Sequence, residues 1–286
     1  MKENTIQHVS DTALWVALYR AEESERPDAL FHDPLARKLM GDRGEKIARN
    51  MNETSAYTKQ NVVIRTHIID LFIKKLIVSG VDTFINLGAG LDTRPYRLEL
   101  PPSLRWIEVD YPHLIEMKNE RLRDEKTRVR LERVPLDLAN RDERKLLFAR
   151  IASESKRVAV LTEGVLPYLF EADVATLAED LFEQKTFEFW IVDDMAKETY
   201  KYLRDPKRMK KMANAPFRFF PEDRFEFFKK LGWVIDEIKY IQGTSTELGR
   251  PSPLPWWAHV LAPLMSTSTR ERISKMSGYA ILRRSN

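Results

Sequence analysis

The chain has 286 residues, 43% hydrophobic and 31% charged, which suits one large α/β domain or two small ones with an ordinary core. It contains no cysteine, which excludes a disulfide scaffold, a cysteine-ligated zinc site and thiol catalysis. A net charge of +4 with pI near 9.1 describes a mildly basic surface, and the densest basic run, Lys201 to Lys211, carries Asp205 and reads as the solvated face of a helix. Met1 to Ile6 lack a secretory apolar core, and no apolar run approaches the roughly 20 residues that span a bilayer, so the expectation is a cytoplasmic protein with no membrane contact.

In chain order, residues 11–22 read as a helix, with Ser10 or Asp11 as N-cap and Leu14, Ala17 and Leu18 on one face. Asp33-Pro34 opens a short helix that Gly41 should close. Residues 57–78 place Val62, Ile64, Ile68, Ile69, Phe72, Ile73, Leu76 and Ile77 at helical spacing, and Gly80 ends the run. From there the pattern alternates. Strands are expected at 83–87, 105–109, 129–134, 158–162 and 187–193, with helices near 112–124, 140–152 and 172–185. Val158-Ala159-Val160-Leu161 and Phe189-Trp190-Ile191-Val192 are apolar at every position, as buried parallel strands are. A helix at 222–231 and late strands at Trp233–Tyr240 and Tyr279–Arg283 follow, separated by the proline-rich Arg250 to Trp257. The expectation is α/β: a Rossmann-like, seven-stranded, mostly parallel sheet with helices on both faces and a helical cap. It is read as one domain over 1–286, with a cap at 1–56, a cofactor-binding core at 57–194, and cap insertions with the last two strands at 195–286.

The densest signal is Asn86-Leu87-Gly88-Ala89-Gly90-Leu91-Asp92-Thr93-Arg94-Pro95, which follows the first strand. Gly88 and Gly90 let backbone approach a ligand, and Asp110, closing the second strand, can accept from ribose hydroxyls. A dinucleotide fingerprint would need a third small residue where Arg94 stands, and Asp92 would repel a pyrophosphate. No Gly-Lys-Ser/Thr follows, so this is no P-loop. A phosphate-free cofactor with ribose hydroxyls fits better, and S-adenosyl-L-methionine has that character. Asp137-Leu138 after the third strand, Glu163 after the fourth and Arg65 in the preceding helix supply groups suited to adenine, an ammonium and a carboxylate.

These residues carry a resemblance. The glycine turn, Glu108-Val109-Asp110, Asp137-Leu138 and Thr162-Glu163-Gly164-Val165-Leu166-Pro167-Tyr168 are similar to the leucine carboxyl methyltransferase superfamily of class I methyltransferases. Val9 to Trp15 and Phe31 to Ala36 resemble its bacterial branch that includes polyketide-synthesis O-methyltransferases, and Arg65-Thr66-His67-Ile68-Ile69-Asp70 is similar to the family's Arg-Thr-x-x-x-Asp helix. The resemblance covers about residues 9–195. It implies that Arg65 binds the cofactor carboxylate, that Gly88 and Gly90 turn beneath the methionine portion, and that Asp110 takes the ribose hydroxyls. It further implies that Asp137 and the Leu138 amide read adenine, that Glu163 sits near the ammonium, and that Tyr168 lines the methyl-transfer face. Two roles stay open for Asp92: capping the next helix or holding the ammonium. Asp137 could instead cap a helix, and Tyr168 could pack in the core.

The expected activity is S-adenosylmethionine-dependent O-methylation, leaving S-adenosyl-L-homocysteine, of a hydroxyl or carboxyl oxygen on a small molecule, with an aromatic or polyketide-like metabolite as the candidate acceptor. Protein or peptide carboxyl methylation, a nucleotide- or RNA-binding module and a nicotinamide dehydrogenase are the alternatives. The five histidines (His8, His32, His67, His113, His259) are dispersed without metal spacing, so no metal is expected. Only His259, near Trp256-Trp257, is a candidate to face the acceptor. With no histidine well placed as a base, the reading leans toward an acidic or pre-ionised acceptor. Among Phe217, Phe219, Phe220, Phe225, Phe227 and Phe228, most are expected in the core and part could wall an apolar acceptor pocket. The segments that would choose the acceptor, 195–220 and 242–278, hold no readable motif.

Overall fold

The apolar runs form a single sheet of seven strands in the order β3-β2-β1-β4-β5-β7-β6. These are β1 (Thr83–Leu87), β2 (Arg105–Asp110), β3 (Arg130–Pro135), β4 (Val158–Thr162), β5 (Phe187–Met195), β6 (Trp233–Tyr240) and β7 (Ser277–Arg284). The computed structural model describes residues 11–50, 55–250, 253 and 265–285. The first five strands run parallel, and β7 lies antiparallel between β5 and β6. This is the expected class I methyltransferase fold. Because β1 pairs with β2 on one side and β4 on the other, the chain reverses direction across the sheet at β1. A crevice opens at the carboxyl end of such a switch point, and the glycine turn sits there.

Strand alternation divides the core in two. Ile85, Ile107, Val160, Trp190 and Leu282 face one side, where Phe148, Leu177, Phe228 and Trp233 cover them. Phe84, Trp106, Leu161, Ile191 and Ile281 face the other, against Ile64, Ile68, Phe72 and Leu76 of α3 (Ser55–Val78). The helices between strands are α4 (Arg94–Arg97), α5 (Pro112–Arg121), α6 (Arg141–Glu154) and α7 (Glu171–Phe182).

A third, smaller core joins α1 (Asp11–Ser24) and α2 (Pro34–Asn50) to Leu91, just past the glycine turn, and to Met212 and Ala215. Arg20 adds a polar tie, donating to the Leu91 carbonyl at 2.5 Å and pairing with Asp33 at 2.9 Å. The N-terminal helices thus roof the carboxyl edge. Ser10, one of the two expected caps of α1, lies outside the described residues.

Gly41 ends the first helical stretch of α2, as expected: its φ of 55° and ψ of −170° break the spiral, and a second stretch resumes beyond the kink to Asn50. One expectation needs correction. The basic run is not one helix face but parts of two helices, α8 (Lys197–Leu203) and α9 (Pro206–Lys211), because Pro206 cannot continue a helix whose preceding turn would need its amide. Then come α10 (Arg224–Lys230), capped by Asp223, α11 (Ile241–Glu247), and α12 (Thr267–Ser274), capped by Ser266. Phe219 and Phe228 are core as expected, whereas Phe217 is only half-buried. Among the described residues no helix is long and apolar enough to cross a membrane.

Candidate cofactor and acceptor site

The turn after β1 is held open by backbone. Gly88 (φ 65°) and Gly90 (φ 47°) adopt the left-handed conformation, which costs a side-chain-bearing residue about 1–2 kcal/mol. The amides of Gly88 and Ala89 donate to the Val109 carbonyl at 2.8 and 3.2 Å, tying the turn to β2. A Cβ on Gly88 would stand 2.5 Å from Val165 Cγ2, so the sequence after β4 closes over this glycine. The Gly90 amide donates to Asp110 Oδ2 at 2.6 Å, and the Tyr111 amide to Oδ1 at 2.7 Å. Burial pushes the Asp110 carboxyl above its ordinary value, with those two amides pulling the other way.

Beside the turn lies a buried ionic cluster. Arg94, 1% exposed, pairs with Asp70 at 2.7 Å, Asp92 at 2.8 Å and Glu163 at 2.8 Å. Arg97 pairs with Asp70 at 2.7 Å and Arg65 with Glu163 at 2.9 Å. Three guanidiniums therefore face three carboxylates. Burial opposes ionisation of Asp70, Asp92 and Glu163, yet the arginines hold all three below the ordinary carboxyl range. The position where a dinucleotide fold needs a small residue is the hub of this cluster. It begins a helix of only 4 residues, not the long helix whose N-terminus would hold a pyrophosphate.

One cavity of about 1260 Å³ runs along the carboxyl edges of the strands. It brings together Arg65, Gly88, Gly90, Asp92, Asp110, Asp137, Leu138, Glu163 and Tyr168, which lie up to about a hundred residues apart in sequence. Asp137 is exposed and its Oδ1 accepts from the Ala139 amide at 2.9 Å, while the cap of α6 is Asn140, so Asp137 is not the cap. Asp92 uses Oδ1 for the Arg94 amide at 2.9 Å and Oδ2 for Asn86 Nδ2 at 2.7 Å as well as for the Arg94 side chain. Tyr168 stacks on Phe217, with ring centroids 5.2 Å apart and planes 18° from parallel. His259 and His8 lie outside the described residues, and His32, His67 and His113 do not line the cavity. Among the described residues no group of three His, Cys, Asp or Glu could hold a metal.

Sequence reasoning missed three groups here. Asn86 lines the cavity, and its buried Oδ1 has no hydrogen-bond partner among the described residues. Asp193 and Asp194 lie near the end of β5 at the cavity wall, both buried. Two acids directly after the apolar run Phe189-Trp190-Ile191-Val192 were the available signal. The partners of Arg94 were not readable, because they come from three separate elements.

Residues 13–182 match the leucine carboxyl methyltransferase family. The chain belongs to that family. A relative from Frankia alni, named as an S-adenosyl-L-methionine-dependent methyltransferase, is 30% identical over 260 residues, covering 85% of this chain and 90% of its own. One of the same name from Rhodococcus jostii is 31% identical over 269 residues, covering 87% and 90%. A solved DUF574-family protein from Streptomyces avermitilis shares the fold at 16% identity, with a TM-score of 0.56 over 94% of this chain and 96% of that one. The protein is an S-adenosylmethionine-dependent methyltransferase, and the dehydrogenase and non-catalytic readings are set aside. In this methyltransferase the family match ends with α7, so the walls built by α8 to α12 lie beyond it.

The residues present fit the cofactor. A side chain on Gly88 would have no room in the cradle, the Asn86 carbonyl oxygen is an unused acceptor suited to an ammonium, and Asp110 keeps lone pairs beyond its two amide bonds.

Proposed function

We propose that this methyltransferase transfers a methyl group to an oxygen of a small molecule held inside the cavity. The cavity carries the reading. At about 1260 Å³ it exceeds the ~300–1,000 Å³ of an ordinary ligand pocket, leaving room for an acceptor beside the cofactor. It extends past the turn to the stacked pair Tyr168 and Phe217 and to the end of β5. A small acceptor fits such an interior better than the chain terminus of a folded protein does. The family's name favours a carboxyl oxygen as the second reading.

When bound, S-adenosylmethionine supplies a methyl group already activated on a sulfonium. The chain's own work is to bind and align. Asp110, at the edge of β2, accepts from ribose hydroxyls while its amide bonds to Gly90 and Tyr111 fix its carboxylate. Asp137 and the Leu138 amide read adenine at the mouth beside β3. Arg65, anchored by Glu163, turns its remaining donors to the cofactor carboxylate, and Asn86 with Glu163 receives the ammonium. Tyr168 and Phe217 present ring faces to a transition state over which positive charge is spread. Alignment of this kind supplies up to about 7–11 kcal/mol of the barrier.

Calorimetric titration with S-adenosylhomocysteine and with NAD tests the cofactor site. Saturable binding of S-adenosylhomocysteine is expected, and its reduction by Arg65→Ala and by Asp110→Ala. Transfer of isotope-labelled methyl to a panel of phenols, carboxylic acids and a leucine-ended peptide tests the acceptor class. Transfer to the peptide alone would overturn the small-molecule reading.

A further inference from the structure

Asp193 and Asp194 lie near the end of β5 where the cavity runs beyond the glycine turn. Their surroundings differ. Asp193 is ion-paired: Arg224, buried in α10, donates to its Oδ2 at 2.7 Å and to its carbonyl at 2.8 Å, while its Oδ1 is buried without a hydrogen-bond partner among the described residues. Arg224 also lies over the Phe219 ring at 4.7 Å and bonds Tyr200. Asp194, 6% exposed, has no cation within ion-pair distance among the described residues. Opposite it in the ladder stands Gly278, so β7 places no side chain against its flank. A carboxylate whose one partner is the Met195 amide, with no ion pair among the described residues, is thus left buried at the wall of a cavity that already holds the aromatic pair Tyr168 and Phe217.

The charge of the cavity agrees. Its described cations are Arg20, Arg65 and Arg218. The first two are taken by Asp33 and Glu163, and the exposed Arg218 lies over the Phe170 ring at 4.4 Å. A carboxylate acceptor would meet Asp194 with no uncommitted buried cation lining the cavity to offset the repulsion, since Arg224, the buried cation that acts on Asp194, is not among the lining residues and is bonded to Asp193. A neutral hydroxyl would find a hydrogen-bond acceptor.

Resting on the methyltransferase reading above, we propose that Asp194 is the group that accepts the acceptor's proton, and that the acceptor is a phenolic hydroxyl and not a carboxylate. The acceptor O–H bond breaks toward the Asp194 carboxylate as its oxygen bonds to the methyl carbon. The carbon–sulfur bond breaks with its electron pair staying on sulfur, which becomes neutral. Asp194 leaves the step protonated and returns the proton to water. Burial pushes the Asp194 carboxyl up to about 6, with Arg224 and the Met195 amide opposing and Asp193 and Asp223 adding. Tyr200 of α8 and Tyr240 of β6 face it from the other elements, with Lys275 beyond Tyr240. A base of that strength is ionised at neutral pH, whereas a phenol near pKa 10 is not. The missing histidine base therefore no longer argues for a pre-ionised acceptor.

The test uses 2-naphthol and 2-naphthoate, two probes of one shape. Each is titrated into the protein saturated with S-adenosylhomocysteine, for wild type, Asp194→Asn and Asp194→Glu. Well above pH 6, wild type should bind 2-naphthol about tenfold tighter than 2-naphthoate. That preference should shrink as pH falls through 6, be largely lost at every pH in Asp194→Asn, and return in part in Asp194→Glu. Labelled-methyl transfer to a set of naphthols should fall by about 10²–10⁴-fold in Asp194→Asn, with the KM for S-adenosylmethionine unchanged. Tighter binding of 2-naphthoate, a preference that Asp194→Asn leaves intact, or no binding and no transfer with any naphthol would each overturn the proposal. Loss of S-adenosylhomocysteine binding in wild type would overturn the cofactor reading itself. Intact binding with an unmoved preference overturns only the role of Asp194.

Discussion

Replacing Arg94 with methionine should remove a large share of this protein's stability. The side chain is 1% exposed and sits among Asp70, Asp92 and Glu163 at 2.7–2.8 Å. Methionine fills similar volume, so the cost is electrostatic and not a cavity. Arg65 and Arg97 would remain against three carboxylates, and Asp92 would lose the side-chain cation paired with it. Breaking a buried pair by removing one partner costs about 3–5 kcal/mol, against a typical total of about 5–15. Urea unfolding at neutral pH measures this as a lower midpoint at constant slope. Adding Asp92→Asn should recover part of the loss by restoring two charges against two. The pH dependence has a definite sign. Asp70, Asp92 and Glu163 are held below their ordinary values of 3.8, 3.8 and 4.5, so their contribution is present above those values and lost as pH falls through the lowered ones. The variant has less to lose, and its stability should converge on wild type in acid. A loss below about 1 kcal/mol, or no recovery in the double variant, would refute the account of Arg94 as the hub.

Three further outcomes are expected. Gly88→Ala should cost about 1–2 kcal/mol for the left-handed backbone and more for the 2.5 Å approach to Val165, and Val165→Ala should relieve only the second part; thermal unfolding of the single and double variants separates them. Asp110→Ala should weaken S-adenosylhomocysteine binding by about ten- to a hundredfold through the lost charged hydrogen bonds, and unchanged calorimetric affinity would contradict the ribose role. Asp194→Asn should stabilise the fold well above pH 6. Raising a carboxyl from 3.8 to about 6 costs at most about 3 kcal/mol at 1.36 kcal/mol per unit once it is ionised. The neutral form's advantage is present below 3.8 and lost as pH rises through 6, so the gain in melting temperature should vanish in acid.

Much of the site was legible because each piece is local. Gly88 and Gly90 answer a backbone demand within one turn, and Asp110 and Glu163 stand directly at strand ends, where register alone puts them on one edge. Less legible was what each side chain does once there. Asp92 reads equally well as a cap or a ligand until Asn86 and Arg94 are seen to occupy both of its oxygens. Gly41 reads as a stop and its positive φ does break the spiral, but that a second helical stretch follows at once was not legible. The basic run reads as one face until Pro206 divides it.

By itself the sequence determined the order of strands and helices, the parallel core and the family of cofactor, since these follow from hydrophobic period, turn chemistry and residues adjacent in the chain. Tertiary structure alone decided that Arg94 joins Asp70, Asp92 and Glu163, that Phe217 packs at the edge of the third core and stacks on Tyr168, and that Arg224 forms its ion pair with Asp193 and not with Asp194. Each is a meeting of elements distant in sequence. Burial and charge pairing, which set what a carboxylate can do, exist only once those elements are packed.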